Sequence, residues 1–493
     1  MKIEKKIIMQ LTYMSSASVL IKDEDSTLLT DPWFVDGEFY GSWYNYPPCT
    51  IKFDELENID GIYISHIHPD HFSVKTLKKM NKRIPIFIHK FHADFLKNAI
   101  ERLGFNVIEV EHNKRINIKD NLNLRIQASD DCDPSLCMKY FGCGIAEKTF
   151  GSTTIDTLCA IDNNEQVIIN TNDCPFPLAE KTATKIKNSY NHINFLLFGY
   201  SSATAFPQCF ELSSDELENS QKEIVQKFLS QGESYINLFQ PDFYMPFAGR
   251  YVLGGEKSKL EKKRAKIELD DAFDYFSNSS TINHELHKGV ILNQNSIFDL
   301  TTGKSNQKYI PVDKEQKRNY ARAHLSKLKY DYETDKLPSL EDFLVLIPKC
   351  FERFNAKRKQ LNFSSNTQIF ITLPENKMLR IPSNGEAHQI VSKKNIEEFD
   401  RYLVITTDFR LLLRIRYNKG KRVDMRTGGR VLLAKGKKPK KPKKTKKPKT
   451  TRKPKKTTTR KPRTTRKPRT TRKPTTTRKP TTTRRVTTTP SSP

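Results

Sequence analysis

Long apolar stretches are absent from this 493-residue sequence. No segment approaches about 18 uninterrupted apolar residues, so we expect no membrane-spanning helix. The apolar run near the N-terminus is broken at Gln10 and Thr12, so we do not expect a cleaved signal peptide either. The sequence also contains neither a GxxxxGK[ST] nor a GxGxxG loop, which leaves nucleotide hydrolysis by a P-loop without support.

Cysteine is sparse, with eight residues and no Cys-x-x-Cys pair. This usage is typical of reduced thiols and predicts a cytoplasmic protein. Cys132, Cys137 and Cys143 form a loose cluster, but their spacing lacks the tight pair of a zinc knuckle. No cysteine is followed by histidine two or three residues later, so the ligand segments of a Rieske iron–sulfur unit are missing.

Acidic residues are absent from the segment 436–493, which carries 25 Lys and Arg, ten Pro and 19 Thr. Removing these 25 from the 85 basic residues leaves 60 against 56 acidic residues, so the net charge of +29 falls to +4 for residues 1–435. A segment of this composition cannot form a core and is predicted to be a disordered basic tail. We expect it to bind a polyanion (nucleic acid, an acidic glycan or an anionic membrane surface) in a salt-sensitive manner.

The order of β-rich and amphipathic segments predicts a layered α/β core over residues 1–255. Residues 256–337 are predicted to be a charged, helical connection that completes this core. Residues 338–435 are predicted to form a small α+β unit. In that unit we expect a helix over Leu340–Lys357 and a strand over Leu411–Tyr417.

The sharpest chemical signal is the sequence Ser65-His66-Ile67-His68-Pro69-Asp70-His71, an H-x-H-x-D-H pattern. It directly follows a short β-branched strand and precedes a predicted helix, a context that argues against a chance surface cluster of histidines. His66 and His68 can reach one metal ion, while Asp70 and His71 can turn toward a second position. Imidazole and carboxylate ligands suit zinc, and also iron or manganese.

With this pattern the sequence resembles the metallo-β-lactamase superfamily over roughly residues 7–250. The resemblance implies an αββα sandwich, with the C-terminal α+β extension and the basic tail appended to it. Ser16–Ile21, followed by Leu28-Leu29-Thr30-Asp31-Pro32-Trp33, resembles the entry hairpin of the lactonase-like and phospholipase-D-like branch. Three further segments are similar to the hydrolase-like region of the CMP-N-acetylneuraminate hydroxylases: Asp31-Pro32-Trp33-Phe34, Gly41-Ser42-Trp43 and Asn170-Thr171-Asn172-Asp173-Cys174. The tail resembles low-complexity extensions of giant DNA virus proteins, which implies a virion or virus-infected host cytoplasm as an alternative setting.

The resemblance implies one or two divalent metal ions, preferably zinc, with the ligands His66, His68, Asp70 and His71. Asp70 is the expected catalytic residue, because it would orient the water that attacks the substrate. Asp173 falls where the superfamily places its metal-bridging aspartate, although an Asx turn or a helix cap would also explain it.

Two ligand positions of the superfamily have no identifiable histidine in this sequence: the position after the predicted strand Leu122–Ala128 and the last histidine of the superfamily. The predicted strand Leu122–Ala128 is followed by Asp130 and Asp131 where a histidine ligand is expected. Either Asp131 (or Asp130) replaces it, or one metal position is incomplete. Asp31, at the end of an earlier strand, is expected to orient a ligand histidine without touching the metal.

These features predict a metal-dependent hydrolase in which metal-bound hydroxide attacks an ester, lactone, amide or phosphodiester bond of a small-molecule substrate. Two alternatives stay open. The first is an oxygenase-like relative that acts on a nucleotide-sugar and takes electrons from a separate donor. The second is a non-catalytic structural or packaging protein that binds polyanions through its tail.

Overall fold

The computed structural model describes residues 9–91, 94–129, 156–360, 362–392, 396, 398–417 and 429–430. Asp131, the cysteine cluster and the basic tail lie outside the described residues, so the expectations for them stay predictions. Among the helices in the described part of the chain, none is long and apolar enough to cross a membrane.

The first of two large sheets has eight strands. Their order is β17 (Lys304–Ser305), β16 (Ile297–Asp299), β1 (Met9–Ser15), β2 (Ser18–Asp23), β3 (Ser26–Thr30), β5 (Gly61–Tyr63), β6 (Ile86–His89) and β7 (Val107–Val110). Pairing is antiparallel from β17 to β3 and parallel from β3 to β7. The carboxyl ends of β3, β5, β6 and β7 therefore meet at one edge of the sheet.

The second large sheet has seven strands. Their order is β15 (Lys288–Gly289), β13 (Phe243–Phe247), β12 (Phe195–Gly199), β11 (Val167–Asn170), β10 (Thr157–Asp162), β9 (Leu122–Ala128) and β8 (Arg115–Lys119). Neighbouring strands pair in parallel along the series β15, β13, β12 and β11. They pair antiparallel along the series β11, β10, β9 and β8. Strands from segment 256–337 join both sheets, because β15 belongs to this sheet and β16 and β17 to the first.

The two sheets pack face to face around a continuous apolar core. Side chains alternate between the two faces of a strand, and β10 illustrates the result. Cys159 and Ile161 are buried between the sheets, whereas Leu158 and Ala160 are buried against the helices on the outer face. This double burial explains why the four central residues of β10, Leu158–Ile161, are all apolar.

Helices cover the outer face of each sheet. In chain order the helices are α1 (Glu38–Gly41), α2 (Val74–Leu77), α3 (Phe95–Glu101), α4 (Phe176–Lys187), α5 (Ser214–Phe239), α6 (Leu269–Ser277), α7 (Lys314–Tyr320), α8 (Leu340–Leu344), α9 (Ile347–Gln360) and α10 (Phe409–Tyr417). Helices α2 and α3 pack on the first sheet, while α4, α5 and α6 pack on the second. The core is therefore an αββα sandwich, the fold class that the sequence predicts.

Two smaller sheets complete the described fold. One pairs β4 (Trp43–Asn45) with β14 (Tyr251–Leu253). The other has five strands in the order β20 (Gln389–Ser392), β19 (Lys377–Pro382), β18 (Gln368–Thr372), β21 (Tyr402–Thr407) and β22 (Gly429–Arg430). Helices α8, α9 and α10 contribute to an apolar cluster on this sheet.

Two secondary-structure predictions in this C-terminal unit are wrong. Leu411–Tyr417 belongs to helix α10 and is not a strand. Its apolar residues Phe409, Leu412 and Leu413 share one face at helical spacing and pack on the cluster that contains Phe343. The predicted single helix over Leu340–Lys357 is two helices, α8 and α9, with Pro348 in the first turn of the second, where proline is tolerated.

Candidate metal centre

The two large sheets bring their ends together at one place. The His/Asp loop leaves the carboxyl end of β5 in the first sheet, and Asp173 follows the carboxyl end of β11 in the second. Hydrogen bonds join the sheets directly behind the loop. Thr157 Oγ1 donates to the carbonyl oxygen of Ser65 over 2.7 Å, and it lies 2.7 Å from the Tyr63 hydroxyl. These buried contacts fix the distance between the loop and the second sheet.

Two groups of possible metal ligands form where the sheets meet, and both contain His66. In the first group, His66 Nε2 lies 2.8 Å from His68 Nδ1 and 3.8 Å from Asp156 Oδ1. In the second, His66 Nε2 lies 3.7 Å from Asp173 Oδ2, and His71 Nε2 lies 3.4 Å from Asp173 Oδ1. Within each group the ligand atoms all lie within 4.8 Å of one another. Two imidazoles and one carboxylate at this separation fit a divalent transition metal ion.

The burial of the ligands sets the direction of access. His66 and His71 are buried, whereas His68 and Asp173 are partly exposed. The candidate centre therefore opens to solvent beside His68 and Asp173. A substrate reaching the centre would approach from that side.

Asp31 fixes the His/Asp loop through contacts with Ser65 and His71. Its Oδ2 lies 2.7 Å from His71 Nδ1 and accepts a 2.6 Å hydrogen bond from Ser65 Oγ, while its Oδ1 accepts from Ser65 N over 2.7 Å. Asp31 and Ser65 are completely buried. Asp31 thereby orients the ring of His71, one of the candidate ligands. The other ring nitrogen, His71 Nε2, is thereby directed toward Asp173.

The carboxylates give the centre a strongly negative potential. Burial alone would lower the pKa of His71, but the charges of Asp173, Asp31 and Asp70 outweigh burial and hold it well above its usual value. An environment that stabilises an imidazolium ion in this way also stabilises a metal cation. The electrostatic potential and the geometry of the ligands therefore both favour a bound metal cation.

A tight turn places Asp173 in the centre. Asn172 has a φ of 45°, a left-handed conformation that asparagine adopts more readily than most residues. Its side-chain amide donates to the carbonyl oxygen of Thr157 over 3.0 Å and to the Tyr63 hydroxyl over 3.3 Å. The N-cap of the following helix is Pro175 and not Asp173. The cap alternative for Asp173 is therefore wrong, and its carboxylate lies beside His66 and His71.

Asp156 is the residue of the centre that the sequence analysis missed. It directly precedes β10, and its carbonyl oxygen accepts a hydrogen bond from Ser129 N at the end of β9. Asp156 thus lies beside the strand end from which the sequence analysis expected Asp131 to supply a ligand. The available signal was an acidic residue at the start of a buried strand.

The predicted ligands therefore have three outcomes. His66, His68, His71 and Asp173 come together. Asp70 lies beside them, with its Oδ2 3.8 Å from His71 Nε2, but it belongs to neither three-residue group. Asp131 lies outside the described residues.

Known proteins are similar to part of this chain. Residues 10–134 match the family described as Beta-lactamase superfamily domain. A Mycobacterium tuberculosis protein, provisionally described as a Rieske 2Fe-2S iron-sulfur protein, is 24% identical over 246 residues, covering 49% of this chain and 44% of that protein. The Xenopus laevis cytidine monophosphate-N-acetylneuraminic acid hydroxylase is 26% identical over 268 residues, covering 49% of this chain and 38% of the hydroxylase. The chain thus matches less than half the length of these relatives.

Solved structures also resemble the chain. An isothiocyanate hydrolase from Delia radicum gut bacteria aligns with a TM-score of 0.39 and 12% identity, covering 59% of this chain and 98% of the hydrolase.

Proposed function

We propose that this chain, which belongs to the metallo-β-lactamase superfamily, is a metal-dependent hydrolase. Two ligand groups that share His66 carry the proposal. The proposed ligands are His66, His68, His71, Asp156 and Asp173, and Asp70 and Asp131 stay candidates from the sequence. Zinc is the preferred metal, with iron or manganese as alternatives.

The proposed reaction is hydrolysis of an ester, lactone, amide or phosphodiester bond in a small molecule. A divalent ion held by these ligands would lower the pKa of a bound water molecule toward neutrality and supply hydroxide. Asp70, whose side chain is 12% exposed, lies next to His71, and its carboxylate is proposed to orient that water through a hydrogen bond. Asp31 keeps the His71 ring in place throughout, because it is buried and bound to both His71 and Ser65.

Metal analysis and chelation test this proposal. We expect the purified full chain to contain one or two ions, and hydrolysis in a screen of ester, lactone, amide and phosphodiester substrates to stop on chelation. Zinc should restore it. A chain that is purified without metal, and whose melting temperature a chelator leaves unchanged, would contradict the proposal.

An oxygenase is the second candidate, and the donor set is compatible with it. Each ligand group has two histidines and one carboxylate, a combination that non-haem iron oxygenases also use. The hydroxylase among the relatives supports the same alternative. Because the sequence has no Rieske ligand segments, this activity would need a separate electron donor. Full activity with zinc alone would exclude the oxygenase.

Polyanion binding through the tail is a separate proposal, supported by the 25 basic residues in 436–493. We expect the full chain to bind duplex DNA with an affinity that falls steeply as salt increases. A chain that ends at Ala434 should lose this binding and keep its metal. Equal DNA binding by both chains would locate the binding surface in the body instead. A cytoplasmic, virion or virus-infected setting for the protein is likewise a proposal.

A further inference from the structure

The end of the His/Asp loop contacts a buried carboxyl group that has no part in the proposed reaction. Ser73 follows the candidate ligand His71 by two residues and is the N-cap of helix α2. Its hydroxyl donates a 2.6 Å hydrogen bond to Glu38 Oε1. Glu38 is only 7% exposed, so this hydrogen bond is shielded from water. Glu38 therefore lies against the end of the loop, two residues along the chain from a candidate ligand.

Neighbouring groups fix the direction of this hydrogen bond. Thr76 Oγ1 accepts from Phe34 N over 2.9 Å and from Val35 N over 3.1 Å. Because both of its lone pairs are occupied, its own proton is directed to Ser73 Oγ, 2.9 Å away. Ser73 Oγ also accepts from Thr76 N over 3.1 Å, so its single proton goes to Glu38. Glu38 Oε1 is therefore the acceptor at the end of a chain of hydrogen bonds that begins at two backbone amides.

One segment of the chain, residues 31–38, contacts both ends of the His/Asp loop. Asp31 lies at the beginning of the segment and accepts from Ser65 at the beginning of the loop. Glu38 lies at the end of the segment and accepts from Ser73 at the end of the loop. The loop is thus held at two places by two buried carboxyl groups from the same segment.

An unusual turn keeps Glu38 in position. The two residues that follow it, Phe39 and Tyr40, have φ values of 50° and 61°, a left-handed conformation that is costly for aromatic residues. The ring of Phe39 packs on that of Trp43, with 4.3 Å between the ring centroids. Such a conformation persists only where the surrounding structure holds it. The aromatic contact therefore supports the turn that presents Glu38 to Ser73.

Charged groups from three elements act on Glu38. Burial raises the pKa of Glu38 to about 7, although the Ser73 hydrogen bond and the charge of Lys75 on α2 partly oppose this effect. The charges of Asp70 in the loop and of Asp331 raise the pKa further. Below this pKa the carboxyl group is mostly neutral. A glutamine, which is neutral and keeps one acceptor oxygen, is then a close substitute for it.

We propose that Glu38 is a positioning residue of the candidate metal centre, which it supports through Ser73 by fixing the end of the His/Asp loop. The proposal rests on the proposed function and adds a second support to the one that Asp31 gives. Functional side chains need to be held within about 0.5 Å of their productive geometry. Loss of the contact between Glu38 and Ser73 releases the backbone next to His71 and so disturbs the ligand geometry.

The zinc affinity of the full chain, measured by competition with a chelator of known affinity, tests the proposal. Glu38→Ala removes the acceptor, and we expect zinc binding to weaken by about tenfold, the lower end of the range for residues that support a ligand from outside. Glu38→Gln keeps an acceptor oxygen and, below the pKa of Glu38, should recover most of this loss. Equal zinc affinities of wild type and Glu38→Ala would overturn the proposal.

Glu216→Ala is the matched control. Glu216 also accepts from the hydroxyl of an N-cap serine, because Ser213 caps helix α5 and lies 2.9 Å from its carboxylate. The variant therefore removes the same kind of contact at a different helix. Its zinc affinity should equal that of wild type, and a loss as large as that in Glu38→Ala would overturn a specific role of Glu38.

A double variant shows whether Glu38 acts through Ser73. If it does, Glu38→Ala combined with Ser73→Ala should bind zinc no more weakly than Ser73→Ala alone, because both changes break the same contact. Losses of zinc affinity that add up in the double variant would overturn the proposal.

Glu38→Asp covers the case in which Glu38→Ala does not fold. It keeps the charge but shortens the side chain, so its carboxylate no longer reaches Ser73. We expect Glu38→Asp to weaken zinc binding more than Glu38→Gln does, although glutamine loses the charge. The opposite order would overturn the proposal.

Hydrogen exchange of the metal-free chain separates this proposal from the proposed function. His71 N and Phe72 N both donate to the carbonyl oxygen of His68, over 3.0 Å and 2.7 Å. We expect these two amides to exchange faster in Glu38→Ala than in wild type and in Glu38→Gln. Faster exchange in a chain without chelator-sensitive hydrolysis would contradict the hydrolase alone. Exchange at the wild-type rate would overturn the role of Glu38 and leave the hydrolase standing.

Discussion

Replacement of His66 by alanine is expected to weaken metal binding whichever of the two ligand groups holds the ion, because the same nitrogen, His66 Nε2, belongs to both groups and can bind one ion at a time. His66 Nε2 lies within 3.8 Å of Asp156 and of Asp173 and 2.8 Å from His68, so it is the ligand that the two groups share. Its loss leaves two donors in each group. Because removal of an outer-shell partner already costs about 10–100-fold in metal affinity, loss of a direct ligand should exceed about 100-fold. Competition with a chelator of known affinity measures the change.

Two control variants, Asp156→Asn and His192→Ala, are compared with His66→Ala. Asp156→Asn removes a ligand from the first group only, so we expect one metal position to weaken while the group with His71 and Asp173 is kept. His192→Ala removes an exposed histidine that pairs with Asp242 outside the centre, and its metal content should equal that of wild type. A His66→Ala protein that retains the wild-type number of ions at the wild-type affinity would show that the ligands are wrongly assigned.

The part of this centre that the sequence predicted comes from local signals. His66, His68, Asp70 and His71 lie within six residues of one another, directly after a buried strand, so chain connectivity alone keeps them close. Asp173 was predictable for the same reason, since it follows the apolar strand β11. In each case the position of a side chain at a strand end follows from sequence patterns that span fewer than ten residues.

Asp156 was not predictable in this way, because its position depends on a long-range pairing. The register of β9 with β10 sets Thr157 opposite Ala128 and so brings Asp156 beside Ser129. No pattern near Asp156 specifies that register. The wrong strand prediction for Leu411–Tyr417 has a related cause. Its apolar run is compatible with both a strand and a helix, and packing of Leu412 and Leu413 on the C-terminal cluster decides for the helix.

Asp31→Asn is expected to weaken metal binding by about 10–100-fold without unfolding the chain, the range seen when a partner of a ligand histidine is lost. The backbone should tolerate the change. Asp31 has a φ of 38°, and asparagine is among the few residues that adopt this left-handed conformation readily. Metal affinity and melting temperature of the variant measure the two parts of this expectation separately.

The reason lies in the tautomer of His71. Asp31 accepts from Ser65 N through one oxygen and faces Ser65 Oγ and His71 Nδ1 through the other. If the asparagine carbonyl keeps the bond from Ser65 N, its amide group must donate toward His71 Nδ1. That nitrogen then becomes an acceptor, and the ring proton moves to Nε2, which lies 3.4 Å from Asp173 Oδ1. A protonated Nε2 cannot bind a metal ion.

Ser65→Ala separates this tautomer effect from a general loss of support. It removes the hydroxyl that donates to Asp31 and that also lies 2.9 Å from His66 Nδ1, but it leaves both Asp31 oxygens and their contact with His71 Nδ1. We therefore expect a smaller loss of metal affinity than in Asp31→Asn. Nitrogen chemical shifts of the His71 ring report the tautomer directly. If they show an unprotonated Nε2 in Asp31→Asn and the metal affinity equals that of wild type, Asp31 does not set the state of His71, and the negative charge of Asp31 would be dispensable for metal binding.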